Sequence, residues 1–332
     1  MGLGLAQKRT RLSGVLLAGF LLHACSTTVT DVGAYREVPM ADAEVMPTPE
    51  QVRAGRTKVV VLDVDDQSVR GRFPDAGLLK ARKLEEVLSE GGTEVVDRSL
   101  ASRLRQELSL AEVRGESQNV YTGPDVAHFA IRGFLTDVGA SSRYTSPSEV
   151  CDKKGKCTYI KATCAYSGNA SGGIRVYELP SLRQVANFNL KGSTYSSEGG
   201  YCRNDFNTLG AVMRGAVEDA VYDNRVELKN LFAPKGYVSE KRILDRRVIF
   251  KVMLGRSSGV NPGDRVTFFT LRKKENRLTK KLEYEEQTLT TGVVSDKVAD
   301  ELAWVLPDDL PKAEQIRLGD YARVQYRKGF FD

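Results

Sequence analysis

The apolar and polar positions in the first half of the chain predict alternating strands and helices. Residues 57–64, TKVVVLDV, form a nearly continuous apolar run, typical of a strand buried on both faces. Residues 78–88 repeat apolar side chains at helical spacing, and we expect the charged residues between them to face solvent, namely Lys80, Arg82, Lys83, Glu85 and Glu86. Residues 94–97 predict a second strand, and Ser99 is a candidate N-cap for a second helix. The order strand, helix, strand, helix predicts an α/β domain.

Further apolar segments extend this domain. Four more strands are predicted, over residues 129–138, 159–168, 172–177 and 184–195. Pro180 supplies turn chemistry between the last two, so we expect a hairpin there. Residues 207–224 predict a third helix, whose several Ala and Gly residues permit close packing. The glycine-rich stretch 168–173 lacks the lysine and the following helix of a phosphate-binding loop.

A domain boundary is predicted at residues 233–236, where Ala-Pro-Lys-Gly interrupts the pattern. Beyond it we expect five short strands, over residues 247–253, 265–271, 291–298, 303–305 and 322–326. Strands of this length and spacing suggest a small SH3-like all-β domain. Trp304 lies in one of them, and we expect it to belong to the core of that barrel. The predicted fold class is thus α+β or α/β, with an α/β domain at 57–233 and an all-β domain at 234–332.

The amino-terminal segment has the pattern of an export signal. A basic start, with Lys8, Arg9 and Arg11, precedes an apolar run from Val15, and the run ends in residues 22–25, LHAC. That ending resembles the lipobox of bacterial lipoproteins. The resemblance implies a signal peptide at 1–24 and a lipid on the cysteine at position 25. A plain secretory signal with a chance cysteine is the alternative, whereas a membrane-spanning helix needs about 20 apolar residues.

The proposed anchor, Cys25, is followed by Ser26 rather than by the aspartate that resembles an inner-membrane retention signal. We therefore expect an outer-membrane lipoprotein that faces the periplasm. Residues 25–56 contain three prolines and no apolar period, which predicts a flexible tether between the lipid and the folded body.

The remaining four cysteines agree with an exported chain. They are Cys151, Cys157, Cys164 and Cys202, and an even number in an oxidising compartment suggests disulfides. Of the three pairings that four cysteines allow, we favour Cys151–Cys157 and Cys164–Cys202. A zinc site is the alternative, but the spacing lacks a Cys-x-x-Cys pair and a nearby histidine.

Charge provides little evidence for a nucleic-acid partner. The net charge is +6, and loss of the three basic residues of the signal leaves +3. No basic stripe with interleaved aromatic residues is present, so we expect no nucleic-acid binding. One basic cluster lies in a predicted loop and comprises Arg272, Lys273, Lys274, Arg277, Lys280 and Lys281. A solvated hairpin tip explains it, and contact with anionic lipid head groups is the alternative.

The sequence contains little that is typical of an enzyme. Of the two histidines, His23 lies in the signal, and we expect His128 to be a partly buried residue at a strand start. Asp63, Asp65 and Asp66 follow the first strand, where acidic residues usually form a solvated turn but can bind a cation. No hydrolase, phosphate-loop or zinc-protease motif is present. We predict no enzymatic activity, catalytic residue, metal or cofactor.

Several segments together resemble the curli secretion lipoprotein family (CsgG-like), whose domain is similar to the amino-terminal domain of TolB. Residues 59–64 and 95–99, VVVLDV and VVDRS, resemble the opening of that domain. Residues 128–137 and 173–178 are similar to its next strands, and the helix from Leu209 resembles its closing helix. Residues 125–128 depart from the Gly-Ala-Asp that usually precedes the third strand. The resemblance implies self-association into a ring.

The last hundred residues resemble the flagellar assembly protein FlgT. Residues 250–266, which include the turn Asn261-Pro262-Gly263-Asp264, are similar to its strand and Gly-Asp module, and residues 318–324 resemble its ending. The extra amino-terminal domain of FlgT has no counterpart. These resemblances imply a structural or assembly part of an envelope-spanning machine, in contact with other envelope proteins or peptidoglycan-associated machinery. A curli-type channel that inserts hairpins, and a lipoprotein regulator of a cell-wall synthase, are the alternatives.

Overall fold

The computed structural model describes residues 28–29, 31–53, 56–114, 121, 123 and 127–328. The predicted signal peptide at 1–24 and the predicted lipidation site, Cys25, lie outside the described residues. Within them, no helix combines the length and the hydropathy needed to cross a membrane.

The helices and strands follow the chain in two groups, joined near residue 234. The helices are α1 Pro49–Arg53, α2 Ala76–Glu90, α3 Ser102–Arg114, α4 Phe206–Tyr222, α5 Arg225–Leu231 and α6 Leu310–Ala313. The strands before the junction are β1 Arg36–Val38, β2 Lys58–Val61, β3 Glu94–Val96, β4 Phe129–Thr145, β5 Ser148–Cys151, β6 Cys157–Ile160, β7 Thr163–Glu178 and β8 Arg183–Gly199. The strands after it are β9 Lys235–Leu244, β10 Arg247–Val252, β11 Arg265–Glu275, β12 Leu282–Val298, β13 Ala303–Pro307 and β14 Tyr321–Val324.

A five-stranded mixed sheet forms the α/β domain, in the order β3-β2-β4-β7-β8. Strand β2 pairs in parallel with β3 and β4, while β4, β7 and β8 are antiparallel. The side chains of Val59 and Val61 pack with α2 and α4 on one face. Val60 and Leu62 pack with α3 on the other face. The apolar run at 57–64 is thus buried on both sides, as its composition predicted.

Residues 159–168 and 172–177 are not two separate strands, as predicted, because β7 continues from Thr163 to Glu178. Gly168 at this junction serves helix packing rather than a turn. A Cβ on Gly168 would lie 2.1 Å from the carbonyl oxygen of Val212 in α4. On β8, a Cβ on Gly192 would lie 2.2 Å from the carbonyl oxygen of Ala216. These glycines therefore allow the α4 backbone to lie directly on the sheet.

A closed six-stranded antiparallel barrel forms the carboxyl-terminal domain. Its order is β9-β10-β13-β12-β11-β14, and pairing of β14 with β9 closes it. The sequence predicted five strands and missed β9, whose sequence KGYVSEKRIL contains many charged residues. Two of those charges form a pair, because Glu240 accepts from Arg242, and Glu240 also accepts from Lys251 of β10 at 3.3 Å. The barrel is shown, whereas the likeness to SH3 domains stays a prediction.

The segment predicted as a flexible tether, residues 25–56, is largely ordered against the barrel wherever it is described. Strand β1 pairs with β9, with Arg36 opposite Ile243. Val29 and Tyr35 are buried against Ile249 and Trp304. The prediction was wrong because the contact is non-local. Isolated apolar residues without a period fill a surface that another domain supplies.

Trp304 also differs from its predicted place. It lies on the outer face of the barrel, beneath Val29 and Tyr35, rather than in the central core. Its ring is covered by the guanidinium of Arg242 at 5.2 Å, and the side chain is only 7% exposed. The amino-terminal segment therefore completes a second, external cluster of this barrel.

The two domains meet at the end of the sheet where strands β2 and β4 begin. The hydroxyl of Tyr326 donates to the carbonyl of Gly91 at 3.0 Å. The Asn230 amide bonds both the N–H and the carbonyl of Tyr326, at 2.8 and 3.0 Å. The barrel thus sits at one end of the long strands, and their other ends point away from it.

Candidate functional site

A three-stranded arm projects from the α/β domain. Strand β2 pairs with β4 only as far as Ile131, whereas β4 and β7 remain paired out to Thr145 and Thr163. Sixteen residue steps separate the two ends of this pairing, which at 3.3 Å per residue is about 50 Å. The arm consists of β4, β7 and β8 and is covered on one face by α4.

Strand β8 is one edge of the arm and one of the two edge strands of the whole sheet. Its even-numbered residues from Phe188 to Thr194 lie on the sheet face that α4 covers, and its odd-numbered neighbours are exposed. Among the described residues, the backbone N–H of Ser193 has a side-chain acceptor on this edge, the carboxylate of Asp219 at 2.9 Å. The edge is 17 residues long and contains no proline. Long exposed edges of this kind are templates for pairing with another strand.

Exposed aromatic side chains gather at the tip of the arm. The rings of Tyr144 and Tyr201 stack with centroids 5.2 Å apart. Tyr159 is 66% exposed and Tyr201 is 81% exposed. Desolvation raises the pKa of Tyr144, and its neighbours Tyr201 and Tyr159 contribute further. The tip therefore presents an aromatic surface to solvent rather than a packed core.

Two disulfides hold the tip together, in the pairing favoured from the sequence. Cys151–Cys157 joins the ends of the β5–β6 hairpin. Cys164–Cys202 ties the start of β7 to the loop before α4 and packs against Tyr166 and Val212. Within the part of the chain that the structure describes, no three potential ligands converge on a metal. The four cysteines thus form structural disulfide bonds at the tip.

A curli-type channel, one of the alternatives from the sequence, would insert hairpin strands into the membrane. The candidate strands for such insertion here, around 159–168 and 185–195, do not present an apolar band. Alternate residues of β7, including Tyr166 and Ala170, are buried under α4. The exposed positions of β8 are polar and include Asn187, Asn189 and Lys191. A lipid-facing strand requires apolar side chains at every second position, which this face of the arm lacks.

A cleft of about 220 Å³ opens at the carboxyl end of β2. It contains the predicted turn residues Asp63, Asp65 and Asp66. The carboxylate of Asp66 is nearly buried and accepts from Arg70 at 2.7 Å. Asp63 pairs with Arg105 at 2.6 Å. Asp63 and Asp66 are thus paired with arginines, while Asp65 accepts the backbone N–H of Gln67 at 3.3 Å.

His128 is exposed rather than partly buried, and its Nδ1 accepts the backbone N–H of Lys58 at 3.0 Å. It borders a cavity of about 530 Å³ between the domains, together with Lys235 and Tyr237. Burial lowers the pKa of the Lys235 ammonium and raises that of the Tyr237 hydroxyl. The histidine therefore helps to align two strand starts.

The structure buries one titratable side chain, Lys80, that the sequence predicted to be exposed to solvent. Lys80, predicted on the polar face of α2, is fully buried. Its Nζ donates to the carbonyl oxygens of Phe134 at 2.8 Å and Gly173 at 2.9 Å. Desolvation lowers its pKa from 10.5 to about 7. The burial of Lys80 could have been predicted from the sequence, because Gly77, Lys80 and Leu84 share one face of the helix.

The basic cluster lies on the long β11–β12 hairpin. Arg272, Lys273 and Lys274 belong to β11 rather than to a loop, and several of the charges are paired. Lys274 contacts Glu285 at 3.0 Å, and Arg272 contacts Glu44 at 3.4 Å. The hairpin is therefore a surface of mixed charge, and not a purely basic patch.

Comparison with known proteins yields matches only among solved structures. No family model matches the chain, and no curated protein matches it. The chain is similar to a PelC dodecamer from Paraburkholderia phytofirmans, with 12% identity and a TM-score of 0.22 over 56% of this chain and 94% of that one. It is similar to lipoprotein GNA1162 from Neisseria meningitidis, with 12% identity and a TM-score of 0.22 over 47% and 91%. A minor lipoprotein from Acinetobacter baumannii gives 9% identity and a TM-score of 0.22 over 52% and 91%.

Proposed function

We propose that this chain is a non-enzymatic outer-membrane lipoprotein, anchored at Cys25 and facing the periplasm, that assembles through the free edge of β8. The 17-residue edge, on which Asp219 accepts the N–H of Ser193, carries this proposal. Odd-numbered residues of β8 direct their backbone groups away from β7, as the bond from Ser193 to Asp219 indicates. A strand from a second copy can accept and donate there without disturbing the existing sheet.

Two further observations support an assembly role rather than catalysis. The disulfides suit an oxidising compartment. Two of the three carboxylates in the cleft at the end of β2, Asp63 and Asp66, form ion pairs with arginines. The envelope-spanning machine that the assembly serves, a flagellar ring or an export apparatus, is inferred from the sequence resemblances to FlgT and to the curli lipoprotein family.

The exposed aromatic tip favours a curli-type channel as a second candidate, since Tyr159 and Tyr201 are suited to an interface. The polar faces of β7 and β8 argue against it in the present conformation. A regulator of a cell-wall synthase is a third candidate, and it does not require self-association.

The edge is tested with Asn189→Pro. Asn189 is exposed and its N–H points away from β7, so proline removes an edge donor and leaves the ladder to β7 intact. We expect the detergent-extracted wild-type protein to form closed rings by electron microscopy and light scattering, and the variant to fall to the monomer mass. Asn189→Thr keeps the N–H and should retain the assembly.

Circular dichroism and the unfolding midpoint check that Asn189→Pro remains folded. A wild-type protein that is monomeric at all concentrations would refute the assembly and favour the regulator. A folded proline variant that assembles like wild type would refute the role of β8. A detergent belt around the arm would favour the channel.

A further inference from the structure

The ordered chain reaches the barrel very soon after the proposed lipidation site. Val29 is completely buried, and its backbone N–H donates to the Asp296 carboxylate at 2.7 Å. Its side chain packs with Tyr35, Ile249 and Trp304 on the outer face of the barrel. This point of the barrel, which we call the Val29 face, is therefore held by both a hydrogen bond and apolar contacts.

The covalent chain sets a limit on how far the Val29 face can lie from the anchor. Four residue steps separate Cys25 from Val29, and a fully extended chain spans at most about 14 Å over that length. A flexible segment of the length predicted for the tether, residues 25–56, would allow an average reach of about 30 Å. The docking of Val29 removes most of that freedom.

We propose that the Val29 face of the barrel lies against the phospholipid head groups of the membrane that holds the anchor. This inference rests on the proposed lipidation of Cys25 and specifies which part of the molecule meets the membrane. A lipid-bearing cysteine sits at the head-group level, so a surface within about 14 Å of it lies next to that layer. No such limit applies to the arm, whose tip extends about 50 Å beyond the domain junction.

The tether, and not charge attraction, sets this orientation. The carboxylate that holds Val29 is itself paired, since Asp296 contacts Lys297 at 3.1 Å. Arg242 covers Trp304 and is paired with Glu240. Ion-paired side chains attract anionic lipids less than unpaired cations do. We therefore expect the orientation to be independent of salt concentration.

The chain provides its own reporter for this arrangement. Trp304 is the single tryptophan of the protein and belongs to the Val29 face. The experiment measures energy transfer from this tryptophan to dansyl-labelled head groups, with the full-length lipidated protein in phosphatidylethanolamine and phosphatidylglycerol vesicles. Energy transfer does not need contact, so the burial of Trp304 does not prevent it.

The control moves the reporter to the tip of the arm. Trp304→Phe combined with Tyr159→Trp keeps one tryptophan, now at an exposed position of the β5–β6 hairpin. We expect transfer from Trp304 to exceed transfer from the tip by several-fold, at low and at high salt. Equal or greater transfer from the tip, or no transfer from Trp304, would overturn the proposal.

A second variant tests the tether as the cause. Insertion of about 30 Gly and Ser residues after Ser26 leaves residues 22–26 unchanged and adds an average reach of about 30 Å. Transfer from Trp304 should then fall several-fold, and unchanged transfer would overturn the tether mechanism. Mass spectrometry of the mature amino terminus distinguishes a failure of the proposed anchor from a failure of the proposed orientation. An unacylated Cys25 refutes the proposed anchor, whereas an acylated protein without transfer from Trp304 refutes only the orientation.

Discussion

Replacement of Lys80 by methionine tests whether the buried lysine changes its protonation on unfolding. The ammonium lies between α2 and the sheet, where its partners are the carbonyl oxygens of Phe134 and Gly173. Its Nζ also lies 5.9 Å from the centre of the Phe134 ring. Burial lowers its pKa from 10.5 to about 7, because the charged form loses its hydration.

The direction of the effect follows from proton binding. Between pH 7 and pH 10.5 the unfolded chain keeps the proton on Lys80 while the folded chain releases it. The free energy of unfolding therefore rises with pH over that range. For these two pKa values, the rise between pH 7 and pH 9 amounts to about 2 kcal/mol. Below pH 7 both states hold the proton, and the cost of burying the charge is present in full.

Urea unfolding of wild type and Lys80→Met at pH 7, 8 and 9 measures the contribution of Lys80 to the pH dependence of the unfolding free energy. Methionine cannot titrate, so the difference in unfolding free energy between the two proteins should change by about 2 kcal/mol in favour of wild type from pH 7 to pH 9. Arg82→Met, on the exposed side of the same helix, should give a difference that is constant with pH because arginine stays charged. A constant difference for Lys80→Met as well would refute the reasoning.

Two predictions concern the packing of the arm. Gly192→Ala places a methyl group 2.2 Å from the carbonyl oxygen of Ala216 and should destabilise the protein by about 1–3 kcal/mol in urea unfolding. Gly199→Ala on the same strand has no neighbour within 4 Å and should change stability by less than about 0.5 kcal/mol, so equal effects would contradict the close approach of α4. Replacing both cysteines of the Cys164–Cys202 bond by alanine should cost about 4 kcal/mol. Removing the shorter disulfide in the β5–β6 hairpin should cost about 2 kcal/mol under the same non-reducing conditions, and the reverse order in thermal unfolding would argue against loop length as the cause.

Local pattern was sufficient for much of the α/β domain. The apolar run at 57–64 predicted a strand covered on both faces, and the spacing at 78–88 predicted α2, because burial on one or two sides leaves a regular period. The even cysteine count suggested disulfides, and the pairing favoured among the three possible ones is the pairing that the structure shows. The same periodicity failed at Lys80, because a lysine was assigned to solvent by its type and not by its position on the helix.

Other features depended on contacts between distant parts of the chain. Strand β9 looks polar in sequence, but the barrel supplies partners such as Lys251 for Glu240. The segment around Val29 has no period, and only the outer face of the barrel gives it a place to pack.

The sequence by itself predicted the opening strand and helix order of the first domain, because burial on one or two sides leaves a period in neighbouring residues. It favoured one of three cysteine pairings, the one that the structure shows. The export signal stays a prediction, since residues 1–24 lie outside the described residues. Tertiary structure alone decided the free edge of β8, the burial of Lys80, and the docking of the chain within four residues of Cys25. These depend on which surfaces meet after folding, and no local period records that.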